Sequence, residues 1–205
     1  MHDLDRALAD IVAIRTQIAR GTAFRGYGPL TLAATGIVAL LTAEVQALWL
    51  DDPLARPLAF FGLWMIAAVV ALGLLAVEAV TRSRRLHSSL ADAMIYAAME
   101  QFVPAAAAGA LLGWVLAQFA PQSLWLLPGL WQIIVSLGAF AACRGLPRTI
   151  SLAGVWYLAA GLVELVLASQ DHSVSPWAMG VPFGVGQLLI ALLLHLTLGG
   201  RDAEI

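Results

Sequence analysis

The sequence predicts an all-α polytopic membrane bundle of six transmembrane helices, three hairpins in succession, behind an N-terminal cytoplasmic amphipathic helix. Three observations carry that expectation. Hydrophobic residues make up 61% of the 205-residue chain and charged residues only 12%, against about 45–50% and ~25% in soluble domains. So few charges cannot cover a water-soluble fold of this size, and the bilayer is the solvent that fits. The apolar residues gather into six stretches, at about 29–50, 57–80, 92–119, 125–143, 149–169 and 176–198. Each comes near the ~20 residues that a helix needs to cross a ~30 Å hydrocarbon core. Finally, the cationic residues fall on one side of the resulting topology.

Residues 1–25 are too charged to span. Leu4, Leu8, Ile11, Val12 and Ile18 share one helical face that Arg15 interrupts, while Asp3, Arg6, Asp10, Gln17 and Arg20 lie mostly elsewhere. That pattern is amphipathic, and it lacks the uninterrupted apolar run of a cleavable leader. Such a helix either lies on the membrane surface or docks through residues 2–20 onto a cytoplasmic protein partner or a second copy. Gly21, Gly26, Gly28 and Pro29 end it and open the first span.

Span 1 stops at Asp51-Asp52-Pro53. Span 2 is followed by Arg82, Arg84 and Arg85, and Ser89 with Asp92 has the spacing of a capping box for span 3. Pro104 predicts a kink there, and the small-sided 105–113 stretch predicts close helix packing. Pro121 marks an uncharged turn, and Arg144, Pro147 and Arg148 mark the turn between spans 4 and 5. Asp171, His172, Ser173 and Ser175 form the loop before span 6, and residues 201–205 form a polar tail.

All eleven basic residues are arginines, and ten of them precede span 1, separate spans 2 and 3, separate spans 4 and 5, or sit in the tail. Only Arg56 lies on the opposite side. The positive-inside rule then places both termini in the cytoplasm of a bacterial inner membrane. Trp49, Trp125 and Trp177 fall at the opposite boundary, as an aromatic belt does. A net charge of −2 gives no basic field, so nucleic acid is not an expected partner. The single Cys143 excludes an internal disulfide and a multi-cysteine metal site.

Internal similarity is present but weak. At an offset of 120 residues Glu44 matches Glu164 and Asp51 matches Asp171, and Gly62-Leu63-Trp64 recurs as Gly129-Leu130-Trp131. A real duplication would make the repeats parallel.

Glu44 and Glu164 are the main candidates for chemistry. A carboxylate in an apolar span costs roughly 2.5–3.5 kcal/mol at mid-membrane, so each should face the bundle, a water cavity or the nearby interface. Together with Gln132 and Gln187 they make a candidate protonatable polar site within the membrane. The simpler alternative is two surface-proximal carboxyls and two amides engaged in interhelical hydrogen bonds, as also expected of Gln46 and Gln118. Asp51, Asp52, Asp171 and His172 are a weaker candidate for an outer-face cation site, or are plain solvated loop charges. Glu78, with Arg82 four residues on, has the spacing of an i,i+4 ion pair. His195 stands alone among the spans, without the second axial histidine that intramembrane haem needs, so no cofactor is expected. No metalloprotease, nucleophile-elbow, phosphate-loop or dinucleotide motif occurs. Gly180, Gly184 and Gly186 in span 6 have helix-packing spacing.

The stretches LLPGLWQIIVSLGAFAACRGLPR and SPWAMGVPFGVGQLLIA resemble segments of small bacterial multi-span membrane proteins that carry no assigned function. That resemblance implies the multi-span fold and transfers no site residue. The functional expectation is a non-enzymatic membrane sensor or accessory subunit. The alternative is a small transporter or channel built on Glu44 and Glu164.

Overall fold

The computed structural model describes residues 11, 28–85, 90–142 and 151–202. Among them the chain forms six α-helices and no strand: α1 Pro29–Trp49, α2 Pro57–Arg85, α3 Leu90–Phe119, α4 Leu127–Ala142, α5 Ser151–Asp171 and α6 Pro176–Asp202. A 3-10 turn over Pro121–Leu126 leads into α4. The amphipathic segment 2–20 and the Ser89–Asp92 capping box fall outside the described residues, apart from helical, exposed Ile11 and the backbone of residues 90–92.

Length and composition make five segments able to cross a membrane: Pro29–Trp49, Pro57–Glu78, Pro121–Ala141, Ser151–Asp171 and Pro176–Leu196. The apolar part of α3, Val103–Phe119, is shorter, covering about 25 Å at ~1.5 Å per residue. This is a multi-pass membrane protein. Its outward surface fits that solvent: Leu30, Leu58, Val69, Val77, Leu111, Val166 and Leu196 all lie exposed. In water such a surface would drive aggregation, whereas lipid tails accept it.

Proline sets several boundaries. Pro29, Pro57, Pro121 and Pro176 each open a helical segment, where the missing N–H has no partner to lose and the fixed φ suits the helix. At the end of α5, His172 adopts φ 54°, the left-handed turn that usually falls to glycine. Its N–H closes back on the Ala168 carbonyl at 2.8 Å. The Trp125 ring sits 4.6 Å from the imidazole, centroid to centroid, and supports it. Pro104 is accommodated inside a helix that runs unbroken from Leu90 to Phe119.

The three expected hairpins are present as neighbouring helices, but they are not the most extensive interfaces. Those lie between α1 and α6 and between α4 and α5. Both run antiparallel and are built on glycine. A methyl at Gly184 would lie 2.6 Å from Leu40 Cγ, and one at Gly36 would lie 3.0 Å from the Gly184 carbonyl oxygen. A methyl at Gly161 would lie 2.7 Å from the Gly129 carbonyl oxygen. Lipid tails are as apolar as leucine, so burial alone does not drive helices together in a bilayer; close backbone approach and van der Waals contact do. This explains why the tightest seams are the glycine-bearing ones. The core between them contains Ala39, Ala43, Phe60, Trp64, Val174 and Met179, with Phe61 and Trp131 against it.

Candidate functional site

The buried polar groups of the bundle lie at helix crossings. Water cannot reach a backbone carbonyl there, so a buried side-chain donor contributes most where the helix leaves an acceptor open. Pro182 creates such a place. It has no N–H, so the Ala178 carbonyl four residues earlier loses its helical partner. Gln132, fully buried on α4, donates Nε2 to that carbonyl at 2.8 Å. The sequence placed Gln132 in a span; its match to the gap left by Pro182 is a property of the fold.

Gln46 forms a second junction. It too is fully buried, donating Nε2 to the Phe60 carbonyl at 3.0 Å and accepting Trp64 Nε1 on Oε1 at 2.8 Å. One amide thus ties the C-terminal half of α1 to the first turns of α2 through both of its polar atoms.

Tryptophan repeats the device, once per hairpin. Trp64 donates from α2 to Gln46 on α1. Trp131 donates from α4 to the Gly109 carbonyl on α3 at 2.9 Å. Trp156 donates from α5 to the Pro182 carbonyl on α6 at 2.9 Å. The first two come from the recurring Gly-Leu-Trp tripeptide, so that match marks a shared structural role. Sequence reasoning assigned tryptophans only to a boundary belt and missed these three clasps. The signal was the tripeptide itself, and a tryptophan in mid-span needs a partner for its N–H.

Tyr157 is fully buried on α5. Its ring packs on Gly186 and lies 5.5 Å from the Phe183 ring, centroid to centroid. Its hydroxyl makes a long 3.5 Å contact to the Phe183 carbonyl and lies against the Gln187 side chain. Gln132 Oε1 and Gln187 Oε1 are buried acceptors with no hydrogen-bond partner.

The two candidate carboxylates stand apart from this interior. Glu44 is exposed on α1, and Glu164 is half-buried on α5. These helices share no extensive interface, since α6 packs against both. Among the described residues no hydrogen bond or ion pair joins them. Of the four residues of the candidate polar site, Gln132 and Gln187 enter the helix-packed interior, and Glu44 points out of it.

The outer-face cation site is not assembled. Asp52 directs Oδ1 to the backbone N–H groups of Leu54 and Ala55 at 3.0 and 3.2 Å. Asp171 does the same for Ser173 at 3.0 Å, and His172 packs edge-on against the Trp125 ring. Asp51 is exposed at the end of α1. Short loop carboxylates cap their own turns in this way because a local N–H is the nearest donor. Among the described residues no three metal-ligating side chains come together. His195 is exposed on α6.

Glu78 has a role that its sequence position did not suggest. Oε1 accepts the Gly28 N–H at 2.9 Å, capping the start of α1 from the far end of α2. A carboxylate at a helix N-terminus meets both free N–H groups and the positive end of the helix dipole.

The chain matches no known protein family, and neither a curated protein nor a solved structure is similar to it.

Proposed function

We propose that this chain is a six-span bacterial inner-membrane protein, with both termini cytoplasmic, that works without catalysis as a sensor or accessory subunit. One observation carries the reading: the buried amides Gln46 and Gln132 are both engaged in holding helices together. Substrate-handling sites keep such groups available for a ligand, whereas structural subunits use them as joints. The one-sided arginines support the orientation, and segment 2–20 supplies a charged amphipathic face for a cytoplasmic partner. Photocrosslinkers placed at Leu8 and Ile11 in native membranes test this. A discrete protein adduct at these sites, with lipid adducts alone at Leu152, is the expected result. Lipid adducts alone at all three sites overturn the partner reading. For topology, single cysteines at Asp52 and Arg148 are introduced into a Cys143→Ser background. An impermeant thiol reagent should label the first from outside and the second only after lysis.

A second reading, a small transporter or channel, draws support from Gln132 Oε1 and Gln187 Oε1, two buried acceptors without partners near the Pro182 segment. A site for a donor-bearing solute would use them; Glu44 and Glu164 are the protonatable groups this reading names, with Glu164 half-buried and Glu44 pointing out of the interior. Proton-coupled flux into proteoliposomes that falls in Gln187→Leu supports it; absence of flux for ions and small amines removes it.

A further inference from the structure

Glu44 is exposed on α1, five residues before Trp49 ends the helix. At ~1.5 Å per residue, that places it roughly 8 Å inside the apolar segment. Ile37, Leu41 and Leu48 on the same face are exposed too. With Glu44 they recur at intervals of four, three and four, the heptad spacing of a seam between two helices. The other sides of α1 are taken: Gly36 and Ala43 face α6, and Gln46 bonds to α2. We infer that this outward stripe docks a transmembrane helix of a different membrane protein, one that carries an arginine or lysine at the depth of Glu44. The inference deepens the accessory-subunit reading and rests on it.

Charge names the occupant. Carboxylates within spans face the bundle interior, a water cavity or a cationic partner, because hydrocarbon solvates neither a charge nor an open acceptor. Among the described residues, no hydrogen bond or ion pair reaches the Glu44 carboxylate. Its geometry also opposes escape to water. On a helix the Cα–Cβ bond tilts toward the N-terminus, which on α1 means toward mid-membrane and away from the nearer end. A short carboxylate leaning that way does not snorkel out as a long basic chain does. A second copy supplies no cation at this depth. All eleven basic residues are arginines, and none lies in Pro29–Trp49, Pro57–Glu78, Val103–Phe119, Pro121–Ala141, Ser151–Asp171 or Pro176–Leu196. Arg56 stands at the same end of the α1–α2 hairpin but ahead of Pro57, outside the span. His172 is held against Trp125 in a loop, and His195 lies toward the far end of α6. The missing cation therefore belongs to another chain, where an ion pair in a low-dielectric medium is strong.

The first test uses the full chain in phosphatidylcholine vesicles with a labelled leucine–alanine transmembrane peptide of about 22 residues. One peptide carries a single arginine at the depth of Glu44; its counterpart has leucine there. Energy transfer between peptide and chain reports association. The wild type should bind the arginine peptide about tenfold more tightly, as suits one strong polar contact between helices in a bilayer. In Glu44→Gln the ratio should fall to twofold or less. Glu44 is exposed, so this change leaves the bundle's packing alone. Glu164→Gln and Arg56→Gln should bind as the wild type does. Equal binding of the two peptides by the wild type overturns the inference, as does a preference that survives Glu44→Gln or is lost in Glu164→Gln. The second test places a photocrosslinker at Leu41 in native membranes. The expected adduct is a protein whose crosslinked span carries arginine or lysine, and Glu44→Gln should abolish it. An adduct with a second copy of this chain overturns the inference. Lipid adducts alone at Leu41, beside a protein adduct at Leu8 or Ile11, overturn this docking face and leave the accessory reading standing.

Discussion

The Gln132 amide nitrogen lies 2.8 Å from the Ala178 carbonyl oxygen, the acceptor that Pro182 strips of its helical partner. A residue that would weaken α6 is thereby turned into an attachment point for α4. The pairing makes a sharp prediction, because either member can be removed separately. Gln132→Leu should destabilise the bundle by about 1 kcal/mol, typical of interhelical hydrogen bonds in membranes. Pro182→Ala restores an N–H for Ala178, so in that background the same Gln132→Leu change should cost measurably less. Unfolding in a graded detergent series gives the four values of the cycle. Equal costs in both backgrounds would show that the two residues are not coupled.

Gln46 uses both polar ends of its amide, so losing it removes two hydrogen bonds. Gln46→Leu should cost more than Gln132→Leu, of order 2 kcal/mol, because the buried Trp64 N–H is left without an acceptor. Trp64→Phe removes that donor. Adding Gln46→Leu to Trp64→Phe should therefore cost less than Gln46→Leu alone. Unfolding of all four chains followed by circular dichroism gives the two costs to compare.

The glycines separate into two groups with opposite expectations. A methyl at Gly62 meets nothing within 4 Å, whereas one at Gly129 would lie 2.8 Å from the Gly161 carbonyl oxygen. Gly62→Ala should be neutral or stabilising by up to ~1 kcal/mol, the helix-propensity difference. Gly129→Ala should push α4 and α5 apart and lower the unfolding temperature. A matched pair of thermal scans in one detergent is enough.

Glu44 and Glu164 sit on helices without an extensive shared interface. The stability effects of Glu44→Gln and Glu164→Gln should therefore add within about 0.5 kcal/mol between pH 5 and 8, as independent sites do. A strongly non-additive double mutant would mean the carboxyls share one site, and the transport reading would move forward.

Composition and periodicity made the helices legible in the sequence. Their limits came close because the signals are local: Pro29, Pro57 and Pro176 start helices by backbone chemistry alone, and Asp51-Asp52 ends one. Pairing was less legible. The expected emphasis on consecutive hairpins missed the α1–α6 seam, since nothing local to Gly36 says that Gly184 lies across from it. Side-chain roles divided the same way. Gln46 was expected to bond between helices and does. Glu78 was expected to pair with Arg82, whose side chain lies outside the described ones; its bond fifty residues back, to the Gly28 N–H, was not foreseen. The candidate site was the least legible part, because whether a buried amide clasps a neighbour or waits for a ligand depends on the helix opposite.

The α1–α6 seam also bears on how the protein is made. The first span enters the membrane long before its largest partner has been synthesised. Until Pro176–Asp202 is complete, the face bearing Gly36 and Ala43 lacks the helix that packs most closely on it in the folded chain. Chains that stop early would present that small-residue face to any other helix in the bilayer, and to the proteases that police unassembled membrane segments. The last of these helices to be translated is therefore the one that protects the first.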